Sequence, residues 1–337
     1  MIQEAIKTIV KGSELPFETA RESMGEIMSG KASEAQIGAF LAALSLKGET
    51  VGEITGFARA MRDACVPVSH EGEVFEIVGT GGDGADTFNI STTSGFVIAS
   101  GGVAVAKHGN RSVSSRCGAA DCLEALGVNL ALTGKENTEL LKKAGMCFMF
   151  APVYHSSMKY AAPVRKALGF RTVFNILGPL GNPAGATMQL MGVYEEKLVE
   201  PMAKVLSNLG VKRGAVVYGM DGLDEITACD RTLVCEFKNG LFQKYLLDPR
   251  DYGMELAHPG DLKGGDSREN AEITRTVLSG EKGPKRNAVL LNAGMSFHLA
   301  EGMSIAEGIQ KAADLIDSGK ALAFMERFIR LSREAAQ

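Results

Sequence analysis

The fold turns on one stretch: Val74-Phe-Glu-Ile-Val78 runs into Gly79-Thr80-Gly81-Gly82-Asp83-Gly84, then Asn89-Ile90-Ser91-Thr92-Thr93, then Val103-Ala-Val-Ala106 and Lys107-His108-Gly109-Asn110-Arg111-Ser112-Val113-Ser114-Ser115. Short apolar segments read as strands, and each polar, glycine-rich loop either follows a strand or opens a helix, here Ile90 to Ser100 and Ala119 to Leu126. Working outward, Met146-Cys-Phe-Met-Phe150, Met188-Gln-Leu-Met-Gly-Val193 and Ala215-Val-Val-Tyr218 are strand-like, with helical stretches at Glu136 to Ala144, Met158 to Leu168 and Lys197 to Leu209. Such alternation predicts an α/β domain with a central, mostly parallel sheet, which binds ligands at the carboxyl ends of its strands. Leu233 to Leu247, turning at Lys238-Asn239-Gly240, predicts an antiparallel hairpin. Asn270 to Gly280, Ala288 to Ala300, Ser304 to Ser318 and Gly319 to Ala335 predict closing helices.

Toward the N-terminus the pattern changes to helices alone. Apolar residues recur at helical spacing in Ile2, Ile6, Ile9 and Val10, in Ala20, Met24, Ile27 and Met28, and in Ile37, Phe40, Leu41 and Leu44. Thr50 and Glu53 form a capping box for the next helix, Val51 to Asp63. Val66 to Glu73, with Pro67 and Gly72, reads as a linker. The expected organisation is a small all-helical N-terminal domain over 1–66, rejoined by hinge and substrate helices over about 156–184, and a larger α/β domain over 74–155 and 185–337.

The 337 residues suffice for two domains, and a net charge of −4 argues against a general nucleic-acid or membrane-surface binder. The six cysteines form no C-x-x-C pair and several lie in apolar runs, which predicts buried free thiols in a reducing compartment. The start Met-Ile-Gln-Glu-Ala-Ile-Lys7 lacks an apolar signal core, so a cytoplasmic protein is expected.

Three constellations carry chemistry. Gly79-x-Gly81-x-x-Gly84 has the dinucleotide spacing, but the acidic residue needed about twenty positions later is missing from Ala99-Ser-Gly-Gly-Val-Ala104. What remains is a glycine-rich turn whose N–H groups face an anion, or a plain tight turn. Asn89 to Thr93 places hydroxyls at a helix N-terminus, where the dipole favours phosphate; alone it would be an ordinary cap, but it follows directly on the glycine turn. Lys107 and Arg111, beside hydroxyls and glycine, suit pyrophosphate and are the electrostatic candidates. Asp221-Gly-Leu-Asp-Glu225 by itself reads as an acidic surface turn.

Gly79-Thr-Gly-Gly-Asp83, Asn89-Ile-Ser-Thr92, Lys107-His-Gly-Asn-Arg111, Arg171-Thr-Val-Phe-Asn-Ile-Leu-Gly-Pro-Leu-Gly-Asn-Pro183 and Asp221-Gly-Leu-Asp-Glu225 together resemble the anthranilate phosphoribosyltransferase family, in family order and almost end to end. The resemblance implies transfer of the phosphoribosyl group of 5-phosphoribosyl 1-diphosphate to the amine of anthranilate, with Mg2+, and a homodimer formed through the helical domain. It implies no nucleic-acid or membrane partner. Gly79, Gly82, Asp83, Thr87, Asn89, Ile90, Ser91, Thr92, Lys107, His108, Gly109, Asn110, Arg111, Ser112, Val113, Ser114, Ser115 and Ala119 match the substrate loops, and Ser91, Asp224 and Glu225 match the metal ligands. Arg165 matches the arginine that binds the anthranilate carboxylate, and Asn110 a further anthranilate contact. His108, His155, Tyr160, Gly178 and Pro179 are candidates for lining the aromatic slot, although His155 also fits a helix cap. No residue is assigned as general acid or base, because a neutral aromatic amine loses its proton readily once bonded. One alternative is a pyrimidine nucleoside phosphorylase, which shares a Lys-x-x-x-Arg loop followed by a motif like Asp121-Cys-Leu-Glu124; Asp224-Glu225 and Leu177 to Pro183 speak against it. A non-catalytic nucleic-acid-binding relative is the other, and the acidic charge speaks against that.

Overall fold

The computed structural model describes residues 1–112 and 116–335; Val113, Ser114 and Ser115 of the expected phosphate loop lie outside them. Four helices come first, α1 (Ile2–Val10), α2 (Phe17–Met28), α3 (Glu34–Lys47) and α4 (Val51–Asp63). Capping boxes start α3 at Ser33/Gln36 and α4 at Thr50/Glu53. The Glu53 carboxylate is buried and satisfied by the Leu15 and Thr50 N–H groups and Lys47 Nζ, which ties three segments of the bundle together.

The α/β part contains β1 (Phe75–Gly79), α5 (Ile90–Ser100), β2 (Val105–Gly109), α6 (Ala119–Leu126), α7 (Gly134–Ala144) and β3 (Met146–Phe150). Three short helices follow, α8 (Ala151–Tyr154), α9 (Ala162–Leu168) and α10 (Phe174–Leu177), before β4 (Met188–Gly192), α11 (Val199–Asn208) and β5 (Arg213–Gly219). The hairpin β6 (Thr232–Lys238) and β7 (Leu241–Leu247) turns through Asn239 and Gly240, both at positive φ, before α12 (Ser267–Leu278), α13 (Pro284–Glu301), α14 (Ile305–Asp317) and α15 (Lys320–Glu334).

The sheet order is β3-β2-β1-β4-β5-β6-β7, parallel through the first five strands and antiparallel in the last two. The small helical unit and the mostly parallel sheet agree with the expected α/β class. The chain leaves β1 toward β2 and β3, then returns to β4 and β5 on the other side. The switch point therefore lies between β1 and β4, where α/β sheets open a crevice. One sheet face, with Phe75, Ile77, Val105, Leu190 and Val217, packs on α5 and α13. The other, with Met191 and Val216, packs on α11, and its apolar cluster continues through Val173, Phe174 and Leu177 into the first four helices.

Three boundaries differ from expectation. The strand placed at Val103 to Ala106 is Val105–Gly109, so Lys107 and His108 are strand residues paired with Phe148 and Met149 of β3, not loop residues. Inside, the Lys107 ammonium finds Ile77 O and Ser91 Oγ, and the His108 ring packs against His155. The helix expected over Met158 to Leu168 is a 3-10 turn, Ser156–Tyr160, then α9; Pro163 has no N–H to carry one helix through. Lys197 belongs to a 3-10 turn before α11.

Candidate active site

The carboxyl ends of β1 and β4 meet the loop after β5. There the backbone and side chain of Asp224 lie so close to Gly79 and Gly192 that a Cβ at either glycine would collide with them. The Gly81 N–H donates to Asp224 Oδ2 at 2.5 Å, and Gly81 and Gly82 reach this turn at φ of 70° and 77°. The Asp224 N–H in turn donates to Asp83 Oδ2 at 3.4 Å. The Ser91 N–H, in the first turn of α5, donates to Glu225 Oε1 at 3.1 Å. Three carboxylates thus gather at one corner, two of them buried.

Crowding shows in their acidities. Burial, then Asp83 and Glu225, push the Asp224 carboxyl well above the carboxylate range. Burial lifts Glu225 to about 7 in spite of Lys107 nearby. Lys107 is buried, its Nζ donating to Ile77 O at 2.6 Å and Ser91 Oγ at 3.2 Å. Burial lowers its pKa against the pull of Glu225, Glu76 and Asp224. Hard oxygen donors with surplus negative charge are what a magnesium ion fits. Among the described residues no three His, Cys, Asp or Glu side chains form a closed metal cage.

The neighbouring loops are ordered by their own contacts. Asn89 bonds through its side chain to Asn270 and Cys117, which sets the start of α5, and the Thr92 hydroxyl is buried without a partner among the described residues. Ile90 is buried, and Thr87 forms an isolated bridge with Lys263. Arg111 lies elsewhere: its guanidinium is half-exposed, donates to Asp121 and to both oxygens of Glu124, and lies over the Phe150 ring. Asp121 Oδ2 also accepts from the Ser112 and Gly118 N–H groups, so α6 anchors the loop. Gly109 ends β2, Ala119 opens α6, and Asn110 O accepts from the Ala120 N–H.

On the helical side, Arg165 of α9 lies over the Phe174 ring, 5.2 Å from its centroid, and has no ion pair or side-chain hydrogen bond among the described residues. Burial lowers its pKa. Arg171 bridges the two sides: it donates to Gly82 O at 2.5 Å and stacks on Tyr194 at 4.1 Å. His108 and His155 pack together with ring centroids 4.9 Å apart. Burial drops them to about 3 and about 4, so both are neutral at physiological pH. Their Nε2 atoms have no partner among the described residues. Tyr160 is exposed, and Pro179 accepts a hydrogen bond from Gln189.

Known proteins place this geometry. Residues 3–65 match the helical bundle domain and residues 71–322 the a/b domain of the glycosyl transferase family. The anthranilate phosphoribosyltransferase of Ruminiclostridium cellulolyticum is 54% identical over 338 aligned residues, covering 100% of this chain and 99% of the relative. The chain belongs to the anthranilate phosphoribosyltransferase family. The crystal structure of the Thermus thermophilus anthranilate phosphoribosyltransferase superposes with a TM-score of 0.93 at 44% identity, covering 98% of this chain and 99% of that one. The anthranilate phosphoribosyltransferase from Saccharomyces cerevisiae in complex with PRPP and Mg follows at 0.91 and 28% identity, covering 99% and 98%. These relatives carry the phosphoribosyltransferase reading and not the phosphorylase alternative.

Of the residues matched to the anthranilate phosphoribosyltransferase motifs, the fold brings Gly79, Asp83, Ser91, Lys107, Asp224 and Glu225 to one corner, and leaves Arg165 on the helical side. The sequence reading passed over Glu76 and quoted Arg171 and Asn182 only within the Arg171 to Pro183 motif, without a role. A glutamate inside the apolar run Val74 to Val78 was the available signal for Glu76, since a buried carboxylate needs a specific partner.

Proposed function

We propose that the chain works as its family does: it joins the amine of anthranilate to the anomeric carbon of 5-phosphoribosyl 1-diphosphate and releases pyrophosphate. The observation that carries the site assignment is the corner of Asp83, Asp224, Glu225, Ser91 and Lys107 at the β1/β4 switch point. The diphosphate sugar binds there, with Gly79 to Asp83 and the first turn of α5 offering backbone donors. Asp224, Glu225 and Ser91 would hold Mg2+, which neutralises charge on the leaving pyrophosphate.

Lys107 supplies a fixed cation to the phosphates in a site shielded from water, where charge stabilisation is strongest. Arg165 faces the second substrate: a planar guanidinium without a protein carboxylate suits the anthranilate carboxylate, and Phe174 orients it. The amine attacks as the neutral nucleophile while the carbon–oxygen bond to pyrophosphate breaks, and the substituted nitrogen then loses one proton to the departing pyrophosphate or to water. His108 and His155 stay neutral and serve as slot walls. Arg111 holds its loop against α6, and in this arrangement is not the leaving-group cation.

The organisation 1–66 with 156–184 against 74–155 with 185–337 is our proposed hinge arrangement, supported by the packing of α9 on α3, of α10 on α4 and of the Ser156–Tyr160 turn on α2. A homodimer through the helical unit, as the family resemblance implies, belongs to the same proposal. Free thiols at all six cysteines fit a cytoplasmic location, and among the described residues no helix is long and apolar enough to cross a membrane. The test is direct: the purified chain releases pyrophosphate from 5-phosphoribosyl 1-diphosphate when anthranilate is added. Phosphate-dependent cleavage of pyrimidine nucleosides in place of that release would overturn the proposal.

A further inference from the structure

Between β1 and β2 the ladder ends after one rung. Phe75 pairs with Val105, and the Phe75 N–H donates to Ala104 O at 2.8 Å. On the opposite edge of β1, pairing with β4 continues to Gly79. A regular parallel ladder would next use Ala106 C=O, His108 N–H and Ile77 C=O to join β2 to β1. Side chains take those places instead. Asn182 Nδ2 donates to Ala106 O at 2.9 Å, the His108 N–H donates to Glu76 Oε1 at 3.2 Å, and Lys107 Nζ donates to Ile77 O at 2.6 Å.

Glu76 and Asn182 are fully buried; Glu76 uses Oε1 for the His108 N–H while its Oε2 finds no partner among the described residues. The Asn182 Oδ1 also accepts from the Ala184 N–H, so the residue is fixed at both ends. Were the ladder closed, the His108 N–H would occupy Ile77 O and Lys107 would lose the anchor that aims its ammonium at Ser91. Burial raises the Glu76 pKa to about 7, so what it supplies at this fork is the hydrogen-bond acceptor for the His108 N–H.

We infer that Glu76 and Asn182 are positioning residues: by capping the parted backbones of β1 and β2 they hold this fork open and set the Lys107 ammonium beside Ser91. The inference rests on the assignment of Lys107 to the phosphorylated substrate. Both side chains are buried and bond to the β2 backbone on either side of Lys107, so their effect reaches the reaction through Lys107.

The test is steady-state kinetics on the full chain with Mg2+ and both substrates for Glu76→Ala, Glu76→Gln, Lys107→Ala and the Glu76→Ala/Lys107→Ala pair, with thermal melts on each. Glu76→Ala is expected to lower kcat on the order of a hundredfold, the cost of misplacing a charged group by about an ångström, with the anthranilate KM unchanged. Glu76→Gln keeps the acceptor for the His108 N–H and is expected to recover most of that rate. In the Lys107→Ala background, Glu76→Ala is expected to cost nothing further. An unchanged kcat in Glu76→Ala, an equal loss in both backgrounds, or a natively melting Glu76→Gln as slow as Glu76→Ala would overturn the inference. Should Glu76→Ala fail to fold, Asn182→Ala, which uncaps one carbonyl, carries the same cycle: no added loss on Lys107→Ala supports the inference and an additive loss overturns it. Wild-type activity in Lys107→Ala would overturn the assignment of Lys107 itself, and the inference with it.

Discussion

The sheet edge and the helical side of our proposed site are unbalanced in opposite senses. At the sheet edge, Asp83, Asp224 and Glu225 crowd together with one buried lysine among them. On the helical wall, Arg165 has an aromatic ring beneath it and no carboxylate among the described residues. Arg111 shows what a satisfied cation looks like in the same fold, with Asp121 and Glu124 taking its guanidinium. The difference is what our proposal builds on: the crowded carboxylates are assigned to a divalent cation and its phosphates, and the unpaired Arg165 guanidinium to a carboxylate.

The comparison breaks most sharply at Asp224. Asp224→Asn keeps the shape, removes one of the crowded charges, and is expected to lower kcat/KM by roughly a thousandfold, with added Mg2+ failing to restore it. Full activity in that variant at ordinary Mg2+ would remove the sheet wall from the account. On the other wall, Arg165→Ala is expected to raise the anthranilate KM by about 10- to 100-fold, the loss of a charge-assisted pair, and to leave the 5-phosphoribosyl 1-diphosphate constant within its error.

The seam between the walls is tested by pH. His155 is depressed to about 4 from 6.5 by burial, so the unfolded chain takes up a proton that the folded chain refuses. The sign is that stability is full above pH 6.5 and is lost as pH falls toward about 4, on the order of 3 kcal/mol for such a shift. His155→Gln is expected to flatten the fall of Tm across that window, followed by thermal melts at a series of pH values; an unaltered slope would show that the ring is not buried as a neutral base. The smallest effect belongs to Arg111→Ala. Its half-exposed ion pairs contribute about 1 kcal/mol or less, so a modest fall in Tm and a few-fold loss of rate are expected. A loss as large as that of Asp224→Asn would place Arg111 among the phosphate-binding cations.

Much of this was legible beforehand. Alternating apolar and helical segments gave the α/β sheet, and the order of polar motifs gave the family, because glycine turns and helix N-termini have local chemistry. Non-local pairing was not legible. Nothing in Met188 to Val193 announces that it lies between β1 and β5, yet that placement brings Asp224 onto Gly79 and Gly192. Lys107 looked like a loop residue because it is charged; it is a strand residue because β3 pairs beside it and the parted β1 offers Ile77 O. The break before α9 is missing from the reading of Met158 to Leu168 as one helix, although Pro163 cannot donate within a continuing helix. The partners of Arg111 were in view as Asp121-Cys-Leu-Glu124, one helical turn apart, and only the fold shows that they neutralise it.

The most direct test of the two-wall account is anthranilate consumption, followed by its fluorescence over a grid of both substrates, with and without Mg2+, in the wild type, Asp224→Asn and Arg165→Ala. The account predicts consumption that requires both Mg2+ and 5-phosphoribosyl 1-diphosphate, abolished in the first variant and shifted only along the anthranilate axis in the second. A shift of Arg165→Ala along the 5-phosphoribosyl 1-diphosphate axis, or wild-type consumption without Mg2+, would contradict it.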